Sequence, residues 1–194
     1  MFHDFEPKFI EPMECLPIPR LPEGPNWVYE IKLDGYRAEA IRTADGVEFY
    51  SRNGKSLSKK FPYIVEALSD LPPDTIVDGE LVALDESGRP EFNRLQNHSG
   101  AAQHIRYFVF DLVVLKGRDL TKLPFSERRK LLARLQFTNQ RIGPKPIERL
   151  PNEPWSSMRS QRSKQDHSQD CTEKCCRKQL TEPTLLEMSD YRVY

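Results

Sequence analysis

A lysine, an Asp-Gly pair and an arginine lie close together in Glu30-Ile31-Lys32-Leu33-Asp34-Gly35-Tyr36-Arg37. A lysine that acts as a nucleophile must first lose its proton, and its ordinary pKa is about 10.4. Partial burial and neighbouring cations lower that value. An arginine one short turn away can grip a phosphate with its planar fork while the amine attacks. As a bare pattern the octapeptide reads more readily as an exposed hairpin with solvated charges.

Three further clusters follow in order: Ser51-Arg52-Asn53-Gly54-Lys55, Asp78-Gly79-Glu80-Leu81-Val82 and Tyr107-Phe108-Val109-Phe110-Asp111-Leu112. Each has a plain alternative. Arg52-Asn53-Gly54 suits a turn, since Asn-Gly favours positive φ. Glu80 suits a solvated strand position, and Phe110 suits ordinary core. Gly54-Lys55-Ser56 ends like a phosphate-binding loop, but position 49, where that loop needs glycine, is Phe49. His98 and His104 have no carboxylate or cysteine close by in sequence and read as surface residues. A helix would bring His167, Cys171 and Cys175 to one side, with Cys176 adjacent. The surrounding sequence offers no small scaffold for zinc, so these cysteines read as incidental.

The four clusters together, in order and spacing, resemble motifs I, Ia, III and IIIa of the covalent nucleotidyltransferases. That superfamily comprises ATP-dependent DNA ligases, RNA ligases and capping enzymes. The stretches PMECLPIPRLPEGPNWVYEIKLDGYR and SRNGKSLSKKFPYIVEAL look like the ligase modules of bacterial non-homologous end-joining enzymes, and the likeness covers roughly residues 5–136. The resemblance implies that Lys32 attacks the α-phosphate of ATP, expels pyrophosphate and keeps AMP as a phosphoramidate. It places the backbone of Glu30 and Ile31 beside the adenine. Arg37 and Arg52 would contact ribose, phosphates or the nick, Glu80 a ribose hydroxyl, and Phe110 the adenine face. No metal ligand is assigned, Glu80 being at most a weak candidate, although a divalent ion, Mg2+, is implied with ATP. The implied partners are nicked or broken double-stranded DNA and end-joining proteins.

The elements that must position these residues are legible between residues 27 and 136. WVYEI is a short apolar run before a turn. YRAEAIR and VEFYS flank Asp45-Gly46, a hairpin signal. FPYIVEALSDL has helical spacing and stops at two prolines. Residues 75–85 read as two strand halves around Asp78-Gly79 or as one long strand. EFNRLQNH reads as a short helix, and IRYFVFDLVVL as a buried central strand. SERRKLLARL is a helix with Ser126 as its expected N-cap and Leu131, Leu132 and Leu135 on one side. The expected fold is α+β: antiparallel sheets flanked by helices, as in the ATP-grasp-like adenylation domain of this superfamily, C-terminally incomplete.

The texture changes near residue 137. Only 15 of the 57 residues from Thr138 to Tyr194 are apolar, too few to offset the entropy of ordering them. The expected organisation is a partial adenylation domain over 1–137 and a divergent, disordered polar tail over 138–194, a frameshift being one origin for it. Past Arg134 neither the acidic-glycine pattern of motif IV nor the lysine pair of motif V is found, and no length remains for the closing oligonucleotide-binding barrel. Losing several preorganised charges from one reaction should cripple it. The sheet is likewise expected to lack cover, with marginal stability and exposed edges. The alternatives are a catalytically degenerate nucleotide- or DNA-binding remnant, and an RNA ligase or capping enzyme.

Composition adds little. Formal net charge is zero, so bulk charge does not point to DNA, although a local basic surface remains compatible with it. No run approaches the roughly 18–20 apolar residues of a membrane span, and the N-terminus lacks the pattern of a secretory signal. The four cysteines are Cys15, Cys171, Cys175 and Cys176, which is no disulfide framework. A cytoplasmic monomer is expected.

Overall fold

The computed structural model describes residues 7–13, 33–97 and 104–145 in full, and the strands Tyr29–Ile31, Cys176–Arg177, Leu185–Met188 and Tyr191–Val193 as backbone. Two compact units divide the chain, one of residues 1–13 and 33–145, the other of 14–32 and 146–194.

The first unit is built on one sheet. Its strands are β2 (Tyr36–Arg42), β3 (Val47–Ser51), β4 (Thr75–Ala83), β5 (Ile105–Leu115), β6 (Arg118–Asp119) and β7 (Ile142–Pro144). The order is β3-β2-β4-β5-β6, with β7 also on β5. The β2–β3 hairpin closes where expected, the Thr43 N–H donating to the Gly46 carbonyl at 2.9 Å. All neighbours are antiparallel except β7, which runs parallel to β5. The sheet is therefore mixed, antiparallel as expected apart from this one parallel pairing. The cause is α3 (Phe125–Leu132), which carries the chain back along β5 as a crossover. The unit thus runs through β7 to Lys145, past the compositional change at 137.

Residues 75–83 form one continuous strand, buried along its whole length. Asp78-Gly79 is not a turn there. A Cβ on Gly79 would stand 2.6 Å from the Phe108 carbonyl oxygen and 2.7 Å from the Tyr107 ring, so glycine lets β5 close up. Helices α1 (Pro62–Leu68) and α2 (Phe92–Gln96) form as read, α1 starting on a proline that needs no donor. Ser126 does not cap α3. The chain enters extended at Pro124 (φ −52°, ψ 146°), so the helix begins at Phe125, with no side-chain cap.

One sheet face carries Ala38, Ala40, Val77, Leu81, Val109 and Leu112 into a core shared with Ile64, Leu68, Leu95 and Leu132. Tyr107 lies within it, its hydroxyl donating to the Ala38 carbonyl at 2.8 Å. On the opposite face Ile41, Ile76 and Val114 form a small cluster with Phe9 and Ile10 of the N-terminal segment.

The second unit contains a four-stranded antiparallel sheet in the order β1-β10-β9-β8, in which β1 is Tyr29–Ile31, β8 Cys176–Arg177, β9 Leu185–Met188 and β10 Tyr191–Val193. Among the described residues no helix is long and apolar enough to cross a membrane.

Candidate nucleotide site

Alternation along a strand places Arg37 and Glu39 on the sheet face away from Ala38 and Ala40. In the β2–β4 register Arg37 stands opposite Glu80, and Glu39 opposite Asp78. Three acidic side chains and one guanidinium thus share a small, buried area. Arg37 is fixed there by a forked ion pair. Its Nε lies 3.2 Å from both Asp78 carboxylate oxygens, and its Nη2 donates to Oδ2 at 2.5 Å. Its Nη1 donates to the Met13 carbonyl at 2.9 Å. The pair is almost fully enclosed, with side-chain exposures of 13% and 6%. Such a charge-assisted fork fixes direction as well as position.

Phe110 reaches the same place from β5. The β4–β5 register shifts between Asp78 and Gly79, which pair with Asp111 and Val109 and leave Phe110 with no opposite residue. A bulge of this kind re-aims a side chain. The Phe110 ring is buried, and the Arg37 guanidinium carbon lies 5.6 Å from its centroid. Behind it, Arg128 of α3 forks onto Asp111, Nε to Oδ1 at 2.7 Å and Nη2 to Oδ2 at 2.9 Å.

Arg52 starts the turn after β3. Its backbone N–H donates to the Arg37 carbonyl at 3.0 Å, and Gly54 takes a φ of 68° as the Asn-Gly pair implied. Four of the expected residues, Arg37, Arg52, Glu80 and Phe110, therefore belong to one unit, three of them on adjacent central strands. Lys32 lies outside the described residues. Glu30 and Ile31 are described as backbone in β1, opposite Arg192 and Tyr191 of β10. His98, Cys15, Cys171 and Cys175 also lie outside the described residues, whereas His104 is exposed as expected.

No motif role attaches to Glu39, Asp78 or Lys145. Glu39 sits two residues after Arg37 on a strand, a spacing that itself implies a shared face. The Ile10 N–H donates to its Oε1 at 2.9 Å. Burial, reinforced by Asp78, outweighs that bond and the Arg37 charge and pushes the carboxyl up to about 8. A carboxyl raised above its unfolded value contributes most below about pH 4.5, and that contribution is lost as pH rises toward about 8. Glu39→Gln, which keeps an acceptor for Ile10, is expected to remove this pH dependence. Urea unfolding at pH 5 and pH 8 should show the variant gaining on wild type at pH 8; an unchanged difference between the two would refute the assignment.

A fixed guanidinium, acidic side chains and an aromatic ring share one sheet face, an arrangement able to offer charge to a phosphate, acceptors to a hydroxyl and a π-face to a base. The chain belongs to the ATP dependent DNA ligase domain family, whose sequence model matches residues 17–172. Among its relatives is the multifunctional non-homologous end joining protein LigD of Pseudomonas aeruginosa, 41% identical over 133 residues, or 66% of this chain and 16% of that protein. LigD of Mycolicibacterium smegmatis is 34% identical over 139 residues, covering 71% of this chain and 18% of that protein. A solved structure described as mycobacterial DNA ligase D complexed with ATP and MES superposes with a TM-score of 0.54 at 32% identity, covering 62% of this chain and 40% of that one. The mixed sheet with its helices is thus the fold of a ligase nucleotidyltransferase domain. The chain spans less than a fifth of the length of these two curated relatives.

Proposed function

We propose that this chain carries the nucleotide chemistry of an ATP-dependent DNA ligase acting in DNA end joining. The observation that carries the reading is the convergence of Arg37, Glu80 and Phe110, from three separate motifs, on one sheet face. In this reading the neutral Lys32 amine attacks the α-phosphorus of ATP. The bond to pyrophosphate breaks, and AMP stays on the lysine as a phosphoramidate. AMP then passes to the 5′-phosphate at a nick, and the 3′-hydroxyl displaces it. Phe110 offers the adenine a stacking surface, Glu80 accepts from a ribose hydroxyl, and the backbone of Glu30 and Ile31 borders the base. Arg37, held in direction by Asp78, and the exposed Arg52 meet the anionic groups.

Glu39, Asp78 and Glu80 lie near one another, but among the described residues no group of three His, Cys, Asp or Glu side chains has the geometry to hold a metal ion. Asp78 is committed to Arg37. Magnesium is proposed to arrive on the phosphates of ATP, the usual way this ion is bound, with few protein ligands. Nicked double-stranded DNA is the proposed acceptor, end-joining proteins the partners, and the cytoplasm of a bacterium the setting for a monomer.

The test is incubation with ATP labelled at the α-phosphate, followed by denaturing electrophoresis. Wild type is expected to retain covalent label and Lys32→Ala to retain none. Wild type that binds ATP but takes no label would favour the degenerate, binding-only alternative.

A further inference from the structure

Lys145 belongs to none of the motifs, yet it is among the most enclosed charged residues described, 2% exposed. Its backbone is held on both sides: its N–H donates to the Val109 carbonyl at 2.7 Å, and its carbonyl accepts from Arg129 Nη2 at 2.8 Å. Arg129 also donates to the Phe110 carbonyl at 3.1 Å, so the root of Lys145 and the strand that presents Phe110 are tied together. From this root the ammonium reaches a point 5.8 Å from the Phe110 ring centroid. Two cations, from β2 and from the end of β7, therefore converge on one aromatic ring.

The two are built for different work. Arg37 is locked by Asp78 and the Met13 carbonyl, so its fork can move little. Lys145 carries a compact charge with rotatable donors on a flexible stem. A base that stacks on Phe110 displaces a cation lying over the ring. The same nucleotide supplies an anion, joined to that base through one sugar, which offers the displaced ammonium a charge-assisted bond. We propose that Lys145 is a nucleotide-binding residue whose ammonium contacts the phosphates of the nucleotide at Phe110. This rests on the nucleotide reading given above.

The experiment compares ATP and adenosine binding to the full chain by calorimetry. Lys145→Met is expected to weaken ATP by about tenfold or more, as loss of one charged hydrogen bond does, and to leave adenosine unchanged. Lys145→Arg should hold ATP affinity near wild type. Should Lys145→Met fail to fold, Lys145→Gln, with a polar head of similar reach, carries the same expectation. Equal weakening of ATP and adenosine, or none for ATP, overturns the assignment while the nucleotide reading stands. Wild type that binds neither ligand overturns both.

Discussion

Arg128→Met is expected to destabilise the folded domain by about 3–5 kcal/mol, a large share of the roughly 5–15 kcal/mol that holds a single domain folded. Arg128 and Asp111 are both buried, with side-chain exposures of 3% and 6%. The guanidinium forks onto the carboxylate and donates a third bond to the Leu123 carbonyl at 2.5 Å. Methionine fills much of the volume but leaves Asp111 charged in a place water scarcely reaches. The Leu112 N–H, which donates to Asp111 Oδ1 at 2.8 Å, cannot replace a full positive charge. Desolvation of the orphan, not loss of an attraction, dominates the cost. It follows that Arg128→Met combined with Asp111→Leu should recover most of the loss, because no charge is then left buried. Urea denaturation of the single and double variants checks this. A single variant within about 1 kcal/mol of wild type would show that the pair is solvated in practice.

Gly35→Ala should be nearly as damaging, and more informative about the site. A Cβ there would lie 2.2 Å from the Leu81 carbonyl oxygen and 2.7 Å from Val82 Cγ1. The first obstacle is backbone in the central strand, so no rotamer change relieves it. The start of β2 must draw away from β4, an overpacking cost of about 1–3 kcal/mol or more. That movement falls two residues before Arg37, in the register that sets Arg37 against Glu80. Nucleotide binding is therefore expected to weaken by a larger factor than the stability loss alone explains. Thermal melts and ATP titration on the same sample separate the two effects. A stable variant with unchanged affinity would mean that the strands part without cost.

The sequence revealed much of this domain because most elements are locally consistent. The β2–β3 hairpin, α1, α2 and β5 follow from a turn dipeptide, helical spacing, prolines and an apolar run. What local patterns leave open has specific causes. Asp-Gly at 78–79 has the composition of a turn and leaves two strand halves or one long strand open; the folded sheet decides for one strand, because Gly79 is needed for close approach by β5. Ser126 is a good cap in isolation, and Pro124 starts the helix ahead of it. The parallel pairing of β7 depends on a crossover whose landing site no local pattern encodes. Arg37, Glu80 and Phe110 stand in family motifs; the shared face of Arg37 and Glu39 follows from strand alternation alone. Lys145 had no signal, since a lysine after a proline in a polar stretch looks solvated. Asp78 was visible as a neighbour of Glu80, but its partnership with Arg37 is a fact of register.

The unmatched Phe110 also constrains how this sequence can drift. Ile105, Tyr107 and Val109 reach the main core at odd positions, whereas Leu112 reaches it at an even one. The count changes parity at the bulge, and Asp111 and α3 are set by the new count. Residue identities along the strand can vary within their apolar or polar kind, but its length cannot. Dropping one residue between Val109 and Leu112 would restore simple alternation, with no odd residue left to swing toward Arg37. The indel, more than the substitution, is the change this strand cannot absorb.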